Sequence, residues 1–207
     1  LLFLSCGFMV GFGRIAQYQN LNLFFSLLSV YCFSFLKGNG RKRLIYSGLG
    51  TLFWGISLLS HWDAIYYLVP IFYFVIRYLR DSNVSTHFKL KLMILNVVLG
   101  SVILLPFLIP YISTQVTNST NAAYFARRVG VQADGFKEHL FIFKLYNPLI
   151  TLWVYVILGA ISLLFIKKTY PYVLWFAFNF VIILFLMVKP GTHIYNYVIP
   201  LIFLGAL

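Results

Sequence analysis

The chain has 207 residues, of which 61% are hydrophobic and only 10% charged. A soluble domain carries about 25% charged residues, so soluble folding is set aside and a polytopic α-helical membrane protein is expected. The formal net charge of +12 does not argue for nucleic acid as a partner, because the basic residues lie mostly between apolar segments, where the positive-inside bias accounts for them.

Apolar stretches fall at about 1–13, 21–36, 44–60, 64–79, 92–112, 149–166, 172–188 and 195–207. They are apolar all round, which excludes the alternating strands of a membrane β-barrel. Crossing a bilayer takes about 20 apolar residues. The first and last stretches fall short of that and read as truncated helices, leaving about six complete ones. The fold class expected is an all-α transmembrane bundle, with 1–207 one incomplete membrane domain of a longer protein. The stretch at 64–79 is short and carries Pro70; it spans only if Leu58, Leu59 and Tyr78 extend it.

The connections alternate in charge. The linkers around Lys37–Arg43, Arg77–Lys91 and Lys167-Lys168 share one side by parity and hold ten basic residues, against six on the other. The ten-residue side is read as cytoplasmic. The outward side then receives Arg14–Gln19, Ser60–Asp63, a long loop at about 113–148 and the turn at Lys189. Within the loop, Phe136–Tyr146 suits a helix lying in the membrane interface. Many tyrosines and tryptophans, among them Trp62, Tyr66, Tyr67 and Tyr111, fall near segment ends and form an aromatic belt. Cys6 and Cys32 lie inside apolar segments and read as small buried hydrophobes.

The outward polar groups are not explained by topology, which makes them site candidates. Asp63 is one of four acids in the chain. It could cap the helix that follows from Ala64; beside His61 it could also bind a metal, orient a substrate hydroxyl or move a proton. Arg14 offers a fixed cation with a planar donor fork for a phosphate, unless it simply belongs to a solvated loop. Gln17 and Gln19 can hydrogen-bond sugar hydroxyls. Arg127 and Arg128 suit an anionic headgroup or a phosphate-linked lipid. Lys189 and His193 flank a helix expected to begin near Tyr195, a place that favours an anion. Snorkelling is the plainer role for Lys189. No Gly-rich nucleotide loop and no Cys/His zinc spacing is present, so no metal site is assigned.

The order of these motifs resembles a known family. Arg14-Ile15-Ala16-Gln17-Tyr18-Gln19 comes first, then a basic inner loop and His61-Trp62-Asp63-Ala64 before a Pro-containing helix. Tyr146-Asn147-Pro148 and Lys189-Pro190-Gly191-Thr192-His193-Ile194-Tyr195-Asn196-Tyr197 follow. The pattern is similar to the middle of GT-C glycosyltransferases of the dolichyl-phosphate-mannose protein mannosyltransferase and lipid A aminoarabinose transferase type. The resemblance implies a multi-pass enzyme of a prokaryotic cell membrane. It would take a sugar from a polyprenyl-phosphate donor and pass it to a lipid, glycan or protein acceptor on the extracytoplasmic side. The family's main catalytic acid lies in an outer loop upstream of Leu1, so no residue here takes that role and this piece alone is expected to be inactive. His61 and Asp63 carry over as supporting residues. Arg14, Arg127, Arg128, Lys189 and His193 carry over as donor-phosphate ligands; Gln17, Gln19 and Tyr195 are expected sugar or acceptor contacts by their own chemistry. No cofactor is required by these residues; a divalent metal is the one left open. Membrane lipids are expected neighbours. The competing expectation is a transporter or flippase for a lipid or amphiphile, which would place polar groups near the bilayer midplane, often on repeated halves.

Overall fold

A computed structural model describes residues 18–36, 40–116, 118, 123, 149–187, 193 and 195–207. The first apolar stretch and the interfacial segment Phe136–Tyr146 lie outside the described residues. Those described are helical, without a β-strand, and group into two compact units, within Gln17–Thr117 and within Asn118–Leu207.

The first unit contains α1 (Tyr18–Ser34), α2 (Gly40–Ser60), a 3-10 segment (Trp62–Tyr67), α3 (Leu68–Leu79) and α4 (Thr86–Tyr111), which ends in a π turn at Ile112–Val116. α1 runs antiparallel to α2: Asn22 meets Ser57, Ser29 meets Gly50, and Phe35 stacks on Tyr46. α4 runs parallel to α2, with Gly48 against Leu95 and Leu99, and Gly55 against Ile103. Small residues at Ser47, Gly50, Gly55 and Ser57 let the three helices approach closely. A methyl built on Gly50 would lie 2.7 Å from the Phe33 ring. Such small-residue contacts, joined by interhelical hydrogen bonds, are how helices associate where no water drives them together.

The polarity of this unit is inverted relative to a soluble bundle. Asn22, Ser26, Ser29, Ser47 and Ser57 are buried, while Val97 is 67% exposed and Val102 66%. Each of the four buried serine hydroxyls has a partner. Ser29 donates to the Gly50 carbonyl at 2.8 Å, and Ser47 and Thr51 both donate to Asn96 Oδ1, at 2.9 and 2.8 Å. A smaller apolar cluster of Phe33, Leu36, Ile71, Tyr78, Val84 and Leu92 closes the other end of the unit.

The short stretch around Pro70 gains length differently from what its sequence suggests. It is not lengthened by Leu58 and Leu59, which remain on α2. Its first six residues wind as a 3-10 helix, which rises about 2.0 Å per residue rather than about 1.5. Together with the twelve residues of α3, the run from Trp62 reaches about 30 Å.

The second unit contains α5 (Leu149–Ser162), a 3-10 joint (Leu163–Phe165), α6 (Ile166–Leu186) and α7 (Tyr195–Ala206). The break expected at Lys167-Lys168 falls slightly earlier, at the 3-10 joint Leu163–Phe165. Both lysines begin α6, and one 3-10 turn connects it directly to α5. The Thr169 hydroxyl fastens the joint, shared between the carbonyls of Ser162 at 3.0 Å and Phe165 at 3.2 Å. α7 packs on both neighbours: Gly159 admits Leu201, Phe203 meets Tyr172 and Trp175, and Tyr197 meets Phe176 and Phe180 edge-on.

Two helical runs, Thr86–Thr114 and Val154–Ile183, are long and apolar enough to cross a membrane. The close approach at Gly50 has a measurable consequence. Gly50→Ala forces the Phe33 ring to move and should cost about 1–3 kcal/mol in overpacking. At Gly100, where a methyl would sit 3.7 Å from Thr51, the same change should be neutral or gain up to about 1 kcal/mol of helix propensity. Thermal unfolding in detergent distinguishes the two; equal midpoints would contradict the packing described.

Candidate functional site

The expected site residues divide among the parts of the chain. Gln19, His61 and Asp63 lie in the first unit, His193 and Tyr195 in the second. Arg14, Gln17, Arg127, Arg128 and Lys189 lie outside the described residues.

The end of the first unit where α2 gives way to the 3-10 segment is built by α1. Its residues Gln19, Asn22, Leu23, Ser26 and Ser29 recur every three or four positions, so one helical face is buried against its neighbours. From that face the Asn22 amide donates to the carbonyls of Ser57, at 3.1 Å, and His61, at 2.8 Å. Both carbonyls, in the last turn of α2 and just after it, also accept a backbone N–H, from His61 at 2.9 Å and from Ala64 at 3.2 Å. Ser57 returns the contact: its hydroxyl donates to the Asn22 carbonyl at 2.8 Å. With that hydrogen committed, Ser26 is the donor in the 2.6 Å hydroxyl pair between Ser26 and Ser57. Trp54 adds a third tie, its indole N–H donating to the Ala64 carbonyl at 3.0 Å.

His61 is thereby held at the turn. Its backbone is extended, at φ −165°, and its Nδ1 accepts the Asp63 amide N–H at 3.1 Å. His61, not Asp63, is therefore the cap. The helix starts two residues earlier than the sequence suggests, as a 3-10 turn at Trp62, and the cap position moves with it. Asp63 is left with its carboxylate directed elsewhere; it is only 4% exposed.

The same His61 Nδ1 lies 3.1 Å from Asp63 Oδ1. One nitrogen cannot accept the amide N–H and donate to the carboxylate at once. Unprotonated Nδ1 caps the turn, with the ring proton on Nε2; Nδ1 carrying the proton donates it to the Asp63 carboxylate instead. The pair can thus hold a proton in two arrangements, a property suited to acid–base work. Tyr18 stacks on the imidazole, 5.1 Å between centroids at 25°. Trp62 is exposed and lies 5.5 Å from Tyr111.

Gln19 sits between Tyr18 and Asn22, both of which touch His61. It is 6% exposed, and its Oε1 is buried without a hydrogen-bond partner. The signal for Asn22 and Ser57 was present in the sequence as polar residues inside apolar helices, but only the antiparallel packing pairs them.

In the second unit, α7 begins at Tyr195, as its sequence suggests. Asn179 of α6 donates to the Asn196 carbonyl at 2.7 Å, and Asn196 donates to the His193 carbonyl at 3.0 Å. The two asparagines tie the approach of His193 to the buried start of the helix. Tyr195 is fully buried and His193 half-buried.

No protein-family model, curated protein or solved structure matches the chain.

Because Asn22 carries two of the bonds that fix this turn, Asn22→Leu should cost about 1–3 kcal/mol through the loss of two interhelical hydrogen bonds. Backbone amide exchange at His61–Ala64 should accelerate with it. Unchanged unfolding and unchanged exchange would show that the turn does not depend on Asn22.

Proposed function

We propose that the chain is part of a multi-pass membrane glycosyltransferase that takes a sugar from a polyprenyl-phosphate donor on the extracytoplasmic side of a prokaryotic cell membrane. One observation carries this reading. A buried carboxylate lies 3.1 Å from a partly buried imidazole at the rim of an apolar-surfaced unit, at the same end as a glutamine whose acceptor oxygen is buried and unfilled. An unfilled acceptor suits a sugar hydroxyl, which is a donor. The exposed apolar flank of α4 suits lipid and an isoprenoid tail.

The chemistry is a displacement at the anomeric carbon. The acceptor hydroxyl, on a lipid, glycan or protein, loses its proton to a carboxylate, its oxygen bonds the sugar carbon, and the carbon–phosphate oxygen bond breaks. Polyprenyl phosphate leaves with that electron pair. None of the residues described here is assigned that carboxylate. His61 and Asp63 support it by holding or relaying a proton. Gln17, Gln19 and Tyr195 contact sugar or acceptor. Arg14, Arg127, Arg128, Lys189 and His193 offset the charge growing on the phosphate, an effect strengthened where water is excluded. The assignment of Lys189 and His193 to the outer face rests on α5 and α6 crossing the membrane separately. No step is assigned to a metal.

Transport is the competing function. Transporters line a path at mid-depth with polar groups that face the substrate. The mid-depth hydroxyls Ser29, Ser47 and Thr51 instead bond backbone or Asn96. They fasten helices together, which favours the enzyme.

The test uses the full-length protein in proteoliposomes with a labelled polyprenyl-phosphate sugar. Expected are free polyprenyl phosphate and a labelled acceptor. Movement of intact donor without bond cleavage would establish a transporter instead. Arg128→Ala and Lys189→Ala should each raise donor KM about ten-fold, the loss of a hydrogen bond to a charged group; unchanged KM and turnover would remove both from the donor site.

A further inference from the structure

At the opposite end of the first unit, three chain segments that are far apart in sequence carry their positive charge to one place. α2 begins at Gly40, where a methyl would lie 4.0 Å from the Phe88 ring of α4. The Arg43 guanidinium lies 5.4 Å from the centre of the Tyr78 ring of α3. Val84, in the turn between α3 and α4, is buried in one cluster with Leu36, Tyr78 and Leu92. The start of α2, the end of α3 and the start of α4 therefore form a single face.

That face presents Arg41, Lys42, Arg77, Arg80, Lys89 and Lys91, with Arg43 packed behind them; all but Lys89 and Arg43 are exposed. Among the described residues its one acid is Asp81, whose Oδ1 accepts the Asn83 amide N–H at 3.0 Å. The N-termini of α2 and α4 point their partial positive charge the same way. Helix α2 extends about 30 Å from this face to the His61 end, the thickness of a bilayer's hydrocarbon core. The face therefore stands at headgroup depth when the flank of α4 is in lipid. Directly beyond Lys91, Met93, Ile94, Val97 and Val98 are exposed. Cations at headgroup depth thus continue into an unpartnered apolar stripe.

We propose that this face binds anionic phospholipid, with the phosphodiester headgroup among Arg41, Lys42, Arg77 and Arg80 and an acyl chain along α4. The continuity of charge and apolar surface selects this occupant: a free phosphate would use only the first, a neutral lipid only the second. The positive-inside bias accounts for the presence of cations at one end; it does not require that headgroups be retained there once the bilayer is removed.

The experiment is lipid retention by the full chain, measured by native mass spectrometry after extraction in neutral detergent with equal amounts of dioleoylphosphatidylglycerol and dioleoylphosphatidylcholine. The expected result is a phosphatidylglycerol preference of about ten-fold or more, given the attraction of each basic residue for an anionic surface. In Arg41→Gln/Lys42→Gln/Arg77→Gln/Arg80→Gln it should fall to near parity. The control Lys167→Gln/Lys168→Gln, in the second unit, should keep it. Arg77→Gln/Arg80→Gln alone should show an intermediate preference, and it serves should the quadruple variant fold poorly. Equal retention of both lipids by the unsubstituted chain would overturn the proposal. So would an unchanged preference in the Arg77/Arg80 variant, or an equal loss in the Lys167/Lys168 control.

Discussion

The polar groups inside the first unit must find their partners inside the protein, and this one constraint shapes everything else in it. Asn22, Ser26 and Ser57 are buried between α1 and α2 and bond one another and the backbone. Ser47, Thr51 and Asn96 do the same between α2 and α4. Apolar contact alone cannot hold helices together when the surroundings are as apolar as the side chains; close packing and internal hydrogen bonds take that role. The same economy sets glycines and serines on α2, because a larger residue would hold the backbones apart and stretch the bonds beyond reach.

The fastening has a direct effect on chemistry. Asn22 spends both amide hydrogens on the last carbonyls of α2, which fixes the His61 backbone and, through it, the first turn of the 3-10 segment. The imidazole is then free to use Nδ1 for its cap or for the Asp63 carboxylate. Gln19 departs from the rule of internal satisfaction, with Oε1 buried and unfilled. It does so at the end where the acid and the imidazole meet. A ligand that donates a hydrogen bond would find an acceptor there.

Much of the helical architecture was legible in the sequence. The apolar runs gave the helices, and the start of α7 at Tyr195 followed from the turn before it. Three features were not legible. The charges at Lys167-Lys168 signal a break, but it lies a few residues earlier, at the Leu163–Phe165 joint that Thr169 fastens. Apolar length around Pro70 was counted at the α-helical rise, but a 3-10 start lengthens it. Asp63 was the residue type preferred for a cap, but the cap fell to His61 because the turn begins at Trp62. In each case local hydrogen bonding, which depends on atoms rather than composition, decided the outcome. The site candidates were legible as exceptions to apolarity; the pairing of Asn22 with Ser57 depended on an antiparallel crossing that no single segment encodes.

The inverted polarity of the first unit, with its site at the rim, is tested most directly by spin labels placed singly at Val97 and Val102 in the full chain reconstituted in bilayers. Collision rates with dissolved oxygen and with a water-soluble nickel complex report whether lipid or water surrounds each label. Lipid around α4 gives high oxygen and low nickel accessibility at both sites. High nickel accessibility at both would put water against that flank and contradict the membrane placement on which the proposed chemistry rests.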